Sequence, residues 1–438
     1  MDHDEVNVRR TRMSLKDVAG DLLIDNGTVD SSEGLTVNGE ITCRGDCNLN
    51  GNVKAKSIES RDGDLIIEGN LFVDNKLEVQ KTLHVRGDLE ADEAELHKAA
   101  YIGGVFKANH SEVGGTLDVK GNLIFHSLEV GGSIKAGSDI NVEHLDVGGS
   151  IEVLGKTEGN RIDVGGRFNG RGEVKLNDVD VGGELEIEKE VDIETIDVGG
   201  TAVIGGGKIG RKIDVGGTFR STAPLRFSYI DVGGTINLTG GSGEDIEVGG
   251  ALSSEGSLTF NNIRAGGAVN INGDVRGKNI NVGGTFFAGG NVTLAEKLKV
   301  GGKAECSGSL TAESIKIGGT LKADKVEALR DIVVNKLTTI KGAKAERIEI
   351  GNHGRVSGPI IGQEILIHEN AEVEDIWGDI VTLRHGARAR NIYAGILRAE
   401  RGSNVTGLIQ FTGELQVDRG CNFKAQPNKT NKLPEPPL

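Results

Sequence analysis

Large rings are scarce in this sequence: one tryptophan, three tyrosines and eleven phenylalanines are spread over 438 residues. That argues against a globular core built on aromatic side chains, and against the aromatic-lined sugar cleft that parallel β-helix lyases place beside their catalytic residues. No nucleophile with an orienting base is recognisable either, so the chain is read as a non-enzyme. Cysteine is also rare. Cys43, Cys47, Cys306 and Cys421 are the only four, and only the first two are close in sequence. A disulfide framework is therefore not expected, which suits a reducing compartment. No run of 18 apolar residues occurs, so no membrane-spanning helix and no direct membrane insertion are expected. The opening MDHDEVNVRRTRMSLKD begins with acids and lacks an apolar leader core, and the reading is a cytoplasmic protein. Basic charge is in deficit, with a net charge of -15. A nucleic-acid groove needs clustered Lys and Arg to displace counterions, so nucleic acid is not an expected partner.

What the sequence has in abundance is glycine, 68 residues, placed with regularity. Gly-Gly pairs begin at Gly114, Gly131, Gly148, Gly165, Gly182, Gly199, Gly216, Gly233, Gly249, Gly266, Gly283, Gly301 and Gly318, at steps of 17 with one 16 and one 18. A fixed period of this length marks a stacked-repeat architecture. The stretch Val181–Val198 shows what one unit contains. Leu185, Ile187, Val191, Ile193, Ile196 and Val198 alternate with polar residues, the period of a strand with one buried face. The alternation slips twice, leaving three apolar pairs and hence three short strands joined by bends. This predicts an all-β fold: a single-stranded β-solenoid, a triangular β-helix of about 17 residues per turn. Two bulky aliphatics per side favour the right-handed form. Gly-Gly at one corner fits a bend that needs either positive φ or close backbone approach.

Taken in order, residues 1–33 lack the repeat and are read as an N-terminal arm or a cap over the first coil. The solenoid is expected over 34–423, with regular Gly-Gly coils at 103–320. The last stretch, 424–438, is Pro-rich and polar; proline offers no ladder donor, so a disordered tail is expected.

The residue two before each Gly-Gly pair forms a series: Glu112, Glu129, Asp146, Asp163, Asp180, Asp197, Asp214, Asp231 and Glu247, then Arg264, Asn281, Lys299 and Lys316. Stacking would align them into one lateral stripe that turns from acidic to basic. Its readings are a solvated face that resists sideways aggregation, a surface for lateral pairing, or a cation site. Other motifs dissolve on inspection. Gly155-Lys156-Thr157 resembles the end of a phosphate loop, but Ser150 stands where the motif needs glycine. Gly240–Asp245 resembles a single calcium-binding nonapeptide without the second copy such a site requires. His110, His126 and His144 sit near successive corners with uneven offsets to the acidic series, and read as solvated corner histidines. Cys43 and Cys47 lack the further Cys or His of a zinc site and read as core or surface thiols. No cofactor is implied.

Beyond Gly319 the coils continue without Gly-Gly, through IEIGNHGRVSG, EILIHENAEVED, IVTLRHGARARN and ILRAERGSNVTG. Over residues 340–423 these G-x-V-x-G and A-x-V-x-D-I units resemble the bactofilin, or polymer-forming cytoskeletal, family. The resemblance implies a right-handed β-helix that polymerises end to end without nucleotide, as a cytoplasmic scaffold whose partners are itself and other cytoskeletal or envelope-associated proteins. Solenoid physics points the same way, because an end coil presents an open strand edge and an apolar cross-section. Leu415, Val417 and Phe423 are expected at one end, and Leu35 and Val37 at the other. The rival reading is a discrete solenoid that binds a protein or polysaccharide along its faces.

Overall fold

A computed structural model of the chain describes residues 5–437. Among them there is no helix, and every strand pairing is parallel, between one turn and its equivalent in the next. The chain divides into two compact units, one ending at Ala223 and one beginning at Pro224. Each is a parallel β-solenoid, as the alternation predicts.

The turn from Val174 to Ile187 shows how sequence becomes coil. Val174 and Leu176, Val179 and Val181, and Leu185 and Ile187 are the three inward pairs, and all six are buried. Their polar neighbours point outward, since successive strand side chains alternate in direction. Val174 stacks on Val191, and Leu185 on Ala202, so each inward residue adds to a continuous apolar column. Leu123, Ile140, Thr157, Val174 and Val191 follow one another in one such column at intervals of 17.

Close approach, not backbone handedness, explains the Gly-Gly corners. The left-handed glycines lie elsewhere, at Gly159, Gly207 and Gly241 among others. At the corners a Cβ would collide with the turn below: one on Gly182 would stand 2.4 Å from the Gly165 carbonyl oxygen, one on Gly183 2.5 Å from that of Gly166. A second corner is held by a ladder of short polar side chains. The Asn52 side-chain oxygen accepts the Asn70 amide (2.9 Å), that of Asn70 the Asp88 amide (2.8 Å) and that of Asp88 the Val105 amide (2.8 Å). In the second unit Asp274 does the same for the Asn291 amide at 2.8 Å. Each accepts an amide at a bend and leaves fewer backbone donors unsatisfied.

In the second unit two half-buried glycines at inward strand positions make room for rings. A Cβ on Gly243 or Gly277 would fall 2.3 Å from the ring of Phe227 or Phe260 respectively, so phenylalanine on one turn is matched by glycine on the next. Where Gly-Gly ends, the corner changes type. Asn370, Gly386 and Gly402 have left-handed φ of 56°, 68° and 82°. They sit in tight turns closed by the amides of Ala371, Ala387 and Ser403, which donate to the carbonyls of His368, Arg384 and Glu400.

Two boundaries differ from the sequence reading. Residues 6–30, expected as an arm or cap, form coil: Val6–Arg9 pairs with Leu22–Asp25, and Arg12–Ser14 with Thr28–Asp30. Their strands are two to four residues long, too short for alternation to register, yet Val8, Val18, Leu22 and Ile24 fill the same core. Residues 1–4 of that segment, and Leu438 of the expected tail, lie outside the described residues. The tail reading is corrected too, for Asn428–Lys429 still pairs with Gln410–Phe411. Pro427 is tolerated there because it stands just outside the pairing.

Candidate functional site

Two features stand apart from the repeating core: the terminal coils and the charged ladder. At the C-terminal coil Leu415–Val417 pairs with Leu397–Ala399, Asn422–Phe423 with Asn404–Val405, and Asn428–Lys429 with Gln410–Phe411. Among the described residues none of these strands has a partner on its other side. The apolar columns therefore end uncovered. Leu397, Ala399 and Val405 are buried, whereas Leu415 and Phe423 above them are half-buried and Val417 is 42% exposed.

Leu35 and Val37 do not play the matching part. Both are buried, because Asp17–Val18 pairs over Thr36 and Val37. The first described coil belongs instead to Val6–Val18, where Met13 is exposed and Leu15 half-buried. Of its three arginines, Arg9, Arg10 and Arg12, the last is engaged by both its Nε and its Nη2 with the Asp30 carboxylate, the latter at 2.9 Å. That contact raises the pKa of the guanidinium and lowers that of the carboxyl. Arg9 and Arg10 are exposed.

Strand register stacks the charged series. In the first unit Glu112, Glu129, Asp146, Asp163, Asp180, Asp197 and Asp214 are successive partners. The row continues upstream through Glu95, Glu78 and Glu59, which the sequence reading missed. No Gly-Gly follows those three, but their spacing of 19, 17 and 17 to Glu112 was the available signal. In the second unit Asp231, Glu247, Arg264, Asn281, Lys299 and Lys316 are likewise successive partners. Partial burial, then Asp214 and Asp180, push the Asp197 carboxyl above its usual range. Cations relieve the row locally: Arg161 binds Asp163 and Lys212 pairs with Asp214. Arg264 pairs with Glu247 and holds that carboxyl low. The Tyr229 phenol is pushed up to about 12, by burial first and then by Glu247.

Other candidates fall into place. His110, His126 and His144 are exposed and touch edge to face, with ring centroids 5.6 and 6.2 Å apart. Thr157 is buried in the core and Lys156 pairs with Glu173 at 2.7 Å, so that run does not cradle a phosphate. Cys43 and Cys47 are buried core thiols, and the Cys43 thiol is pushed up by its contact with Cys47 and by burial. His84 stacks on Tyr101, and Trp377 on Tyr393, on adjacent turns.

Comparison with protein-family models, curated proteins and solved structures finds no match.

Proposed function

We propose that this chain is a structural protein whose terminal coils stack on those of further copies, building nucleotide-independent filaments or a scaffold. The β-solenoid is compatible with such a role. The observation that carries the proposal is the uncovered C-terminal coil, whose strands pair on one side only while Leu415, Val417 and Phe423 cap three apolar columns. An open parallel edge over an apolar cross-section is a template for another coil. The similarity of residues 340–423 to bactofilins supports the same reading. On it, the role is structural rather than catalytic, the chief partner is the chain itself, other cytoskeletal or envelope-associated proteins are the further partners, and the compartment is the cytoplasm.

Negative-stain microscopy of the purified chain tests this. Filaments are expected from the wild type, and Leu415→Arg/Val417→Arg should abolish them while far-UV circular dichroism stays β-rich. Filaments that persist in the folded variant would refute the proposal. A monodisperse monomer at high concentration would instead favour the discrete binding scaffold. That second reading draws on Leu329 and Ile340, which are 66% and 82% exposed away from the terminal coil.

A further inference from the structure

We infer that Glu78, Glu95 and His97 form a binding site for a divalent transition-metal ion of the zinc class. Parallel register makes Glu78 and Glu95 direct partners on adjacent turns, with carboxylates side by side at one rung of spacing. His97 lies two residues past Glu95, in the bend just after the strand ends at Leu96, and its imidazole reaches back to the carboxylate pair. It occupies the place that the first glycine of the corner takes one turn later, since Gly114 stands directly over the His97 carbonyl. An imidazole thus replaces a glycine at the edge of the carboxylate ladder.

One donor atom from each of the three residues lies within 4.8 Å of the others, and His97 Nε2 is 3.9 Å from Glu78 Oε1. No other group of three metal-ligating side chains comes as close among the described residues. Bonds of about 2.0–2.2 Å place tetrahedral ligand atoms about 3.4 Å apart, so small rotations of two half-buried carboxylates and one exposed imidazole suffice. The donor set is one imidazole nitrogen with two carboxylate oxygens. Imidazole favours zinc, cobalt or nickel over calcium and magnesium, which take oxygen. Three protein ligands leave room for water.

Lys76 is the competitor. Its ammonium lies 2.7 Å from Glu95 Oε2 and 3.2 Å from Glu78 Oε2, and its single charge offsets only one of the two carboxylates. An exposed ion pair of this kind contributes little, so a doubly charged ion with an added nitrogen ligand displaces it and the lysine turns to solvent. The ten-rung carboxylate row extending from the site raises the local cation concentration.

The test is zinc titration calorimetry on the full-length chain, with cobalt absorption as a report of the ligand field. The wild type should take up one zinc more than His97→Ala. Glu95→Gln should weaken that site at least about tenfold, and Lys76→Met should strengthen it. All these positions are on the surface, and circular dichroism checks that each variant is folded. A wild type that binds no more zinc than folded His97→Ala, or a cobalt spectrum unchanged by Glu95→Gln, overturns the inference.

Discussion

Adding one methyl group at a Gly-Gly corner tests the account of the fold most directly. A Cβ on residue 182 would stand 2.4 Å from the Gly165 carbonyl oxygen, whereas ordinary contact begins near 3.4 Å. The obstacle is backbone, so the turns must part by about 1 Å at that corner. Gly182 donates to the Val164 carbonyl at 2.9 Å and Gly183 to the Gly166 carbonyl at 3.0 Å; opening by that much carries both beyond bonding geometry. Two bonds at about 0.5–1.5 kcal/mol each give an expected loss of about 1–3 kcal/mol for Gly182→Ala. Gly170 supplies the contrast. It faces the core of the same unit, and the atoms nearest to a Cβ there are those of Val174, Phe168 and Ile187, at 3.5–3.7 Å, which is ordinary contact. Gly170→Ala should therefore stabilise by about 0.4–1 kcal/mol, through contact and a less flexible unfolded chain. Urea unfolding followed by circular dichroism measures both. Hydrogen exchange at the amides of residues 164–199 localises the effect, since repeat chains need not unfold in one step. If the two alanines shift stability alike, close approach is not why the corners are glycine.

Gly277→Ala should cost about 1–3 kcal/mol by crowding Phe260, and most of that loss should disappear in the Phe260→Leu background; additive effects in a double-mutant cycle would refute ring-for-glycine matching. Asp197→Asn should stabilise the chain at neutral pH by up to about 1 kcal/mol, because carboxylates one rung apart, about 4.8 Å, repel by about 0.9 kcal/mol in water. The sign follows from the raised carboxyl pKa: the native state binds its proton first, so the wild type gains stability as pH falls and loses it as pH rises through that range. The advantage of Asp197→Asn in urea midpoint should shrink towards pH 4 and in high salt. Asp375 behaves oppositely. The Arg390 guanidinium holds its carboxyl low through contacts of 2.8 and 2.6 Å. Its stabilisation is present above the ordinary carboxyl pKa and is lost as pH falls through the lowered one. Arg390→Ala should remove about 1–2 kcal/mol at pH 7 and flatten the acid limb of the stability profile.

Period and core were legible in the sequence because both follow from alternation. Leu185, Ile187, Val191, Ile193, Ile196 and Val198 could be assigned inward by their spacing alone, and all six are buried. What alternation does not encode is what one turn does to the next. Gly277 looks like a gap in a strand until Phe260 is seen to fill it. Val6–Val18 does not stand out as a coil, rather than an arm or cap, because strands of two to four residues carry too few alternations to show a period. Glu59, Glu78 and Glu95 escaped because the marker that aligned the rest of the ladder, Gly-Gly two residues on, is replaced by Arg61, Gln80 and His97. That replacement is also what gives the ladder its one imidazole beside two carboxylates, so the irregular turn is chemically the most distinctive.

Within each unit, one turn presents to the next a surface of the same kind, so the core alone cannot distinguish a neighbour in the chain from a turn of another molecule. What the apolar columns would add at the C-terminal coil is modest. Leu415 and Phe423 are already half-buried, so covering them with Val417 is worth about 2–4 kcal/mol in all. That is no more than millimolar affinity. Each ladder hydrogen bond adds about 0.5–1.5 kcal/mol, and a few of them match the side chains. Those bonds form only in register, and a one-residue slip would turn every inward side chain outward. Stacking should therefore depend on the fit of the whole coil rather than on one adhesive residue. A charge at Val417 would be fatal because stacking would bury it unpaired, not because the valine itself contributes much.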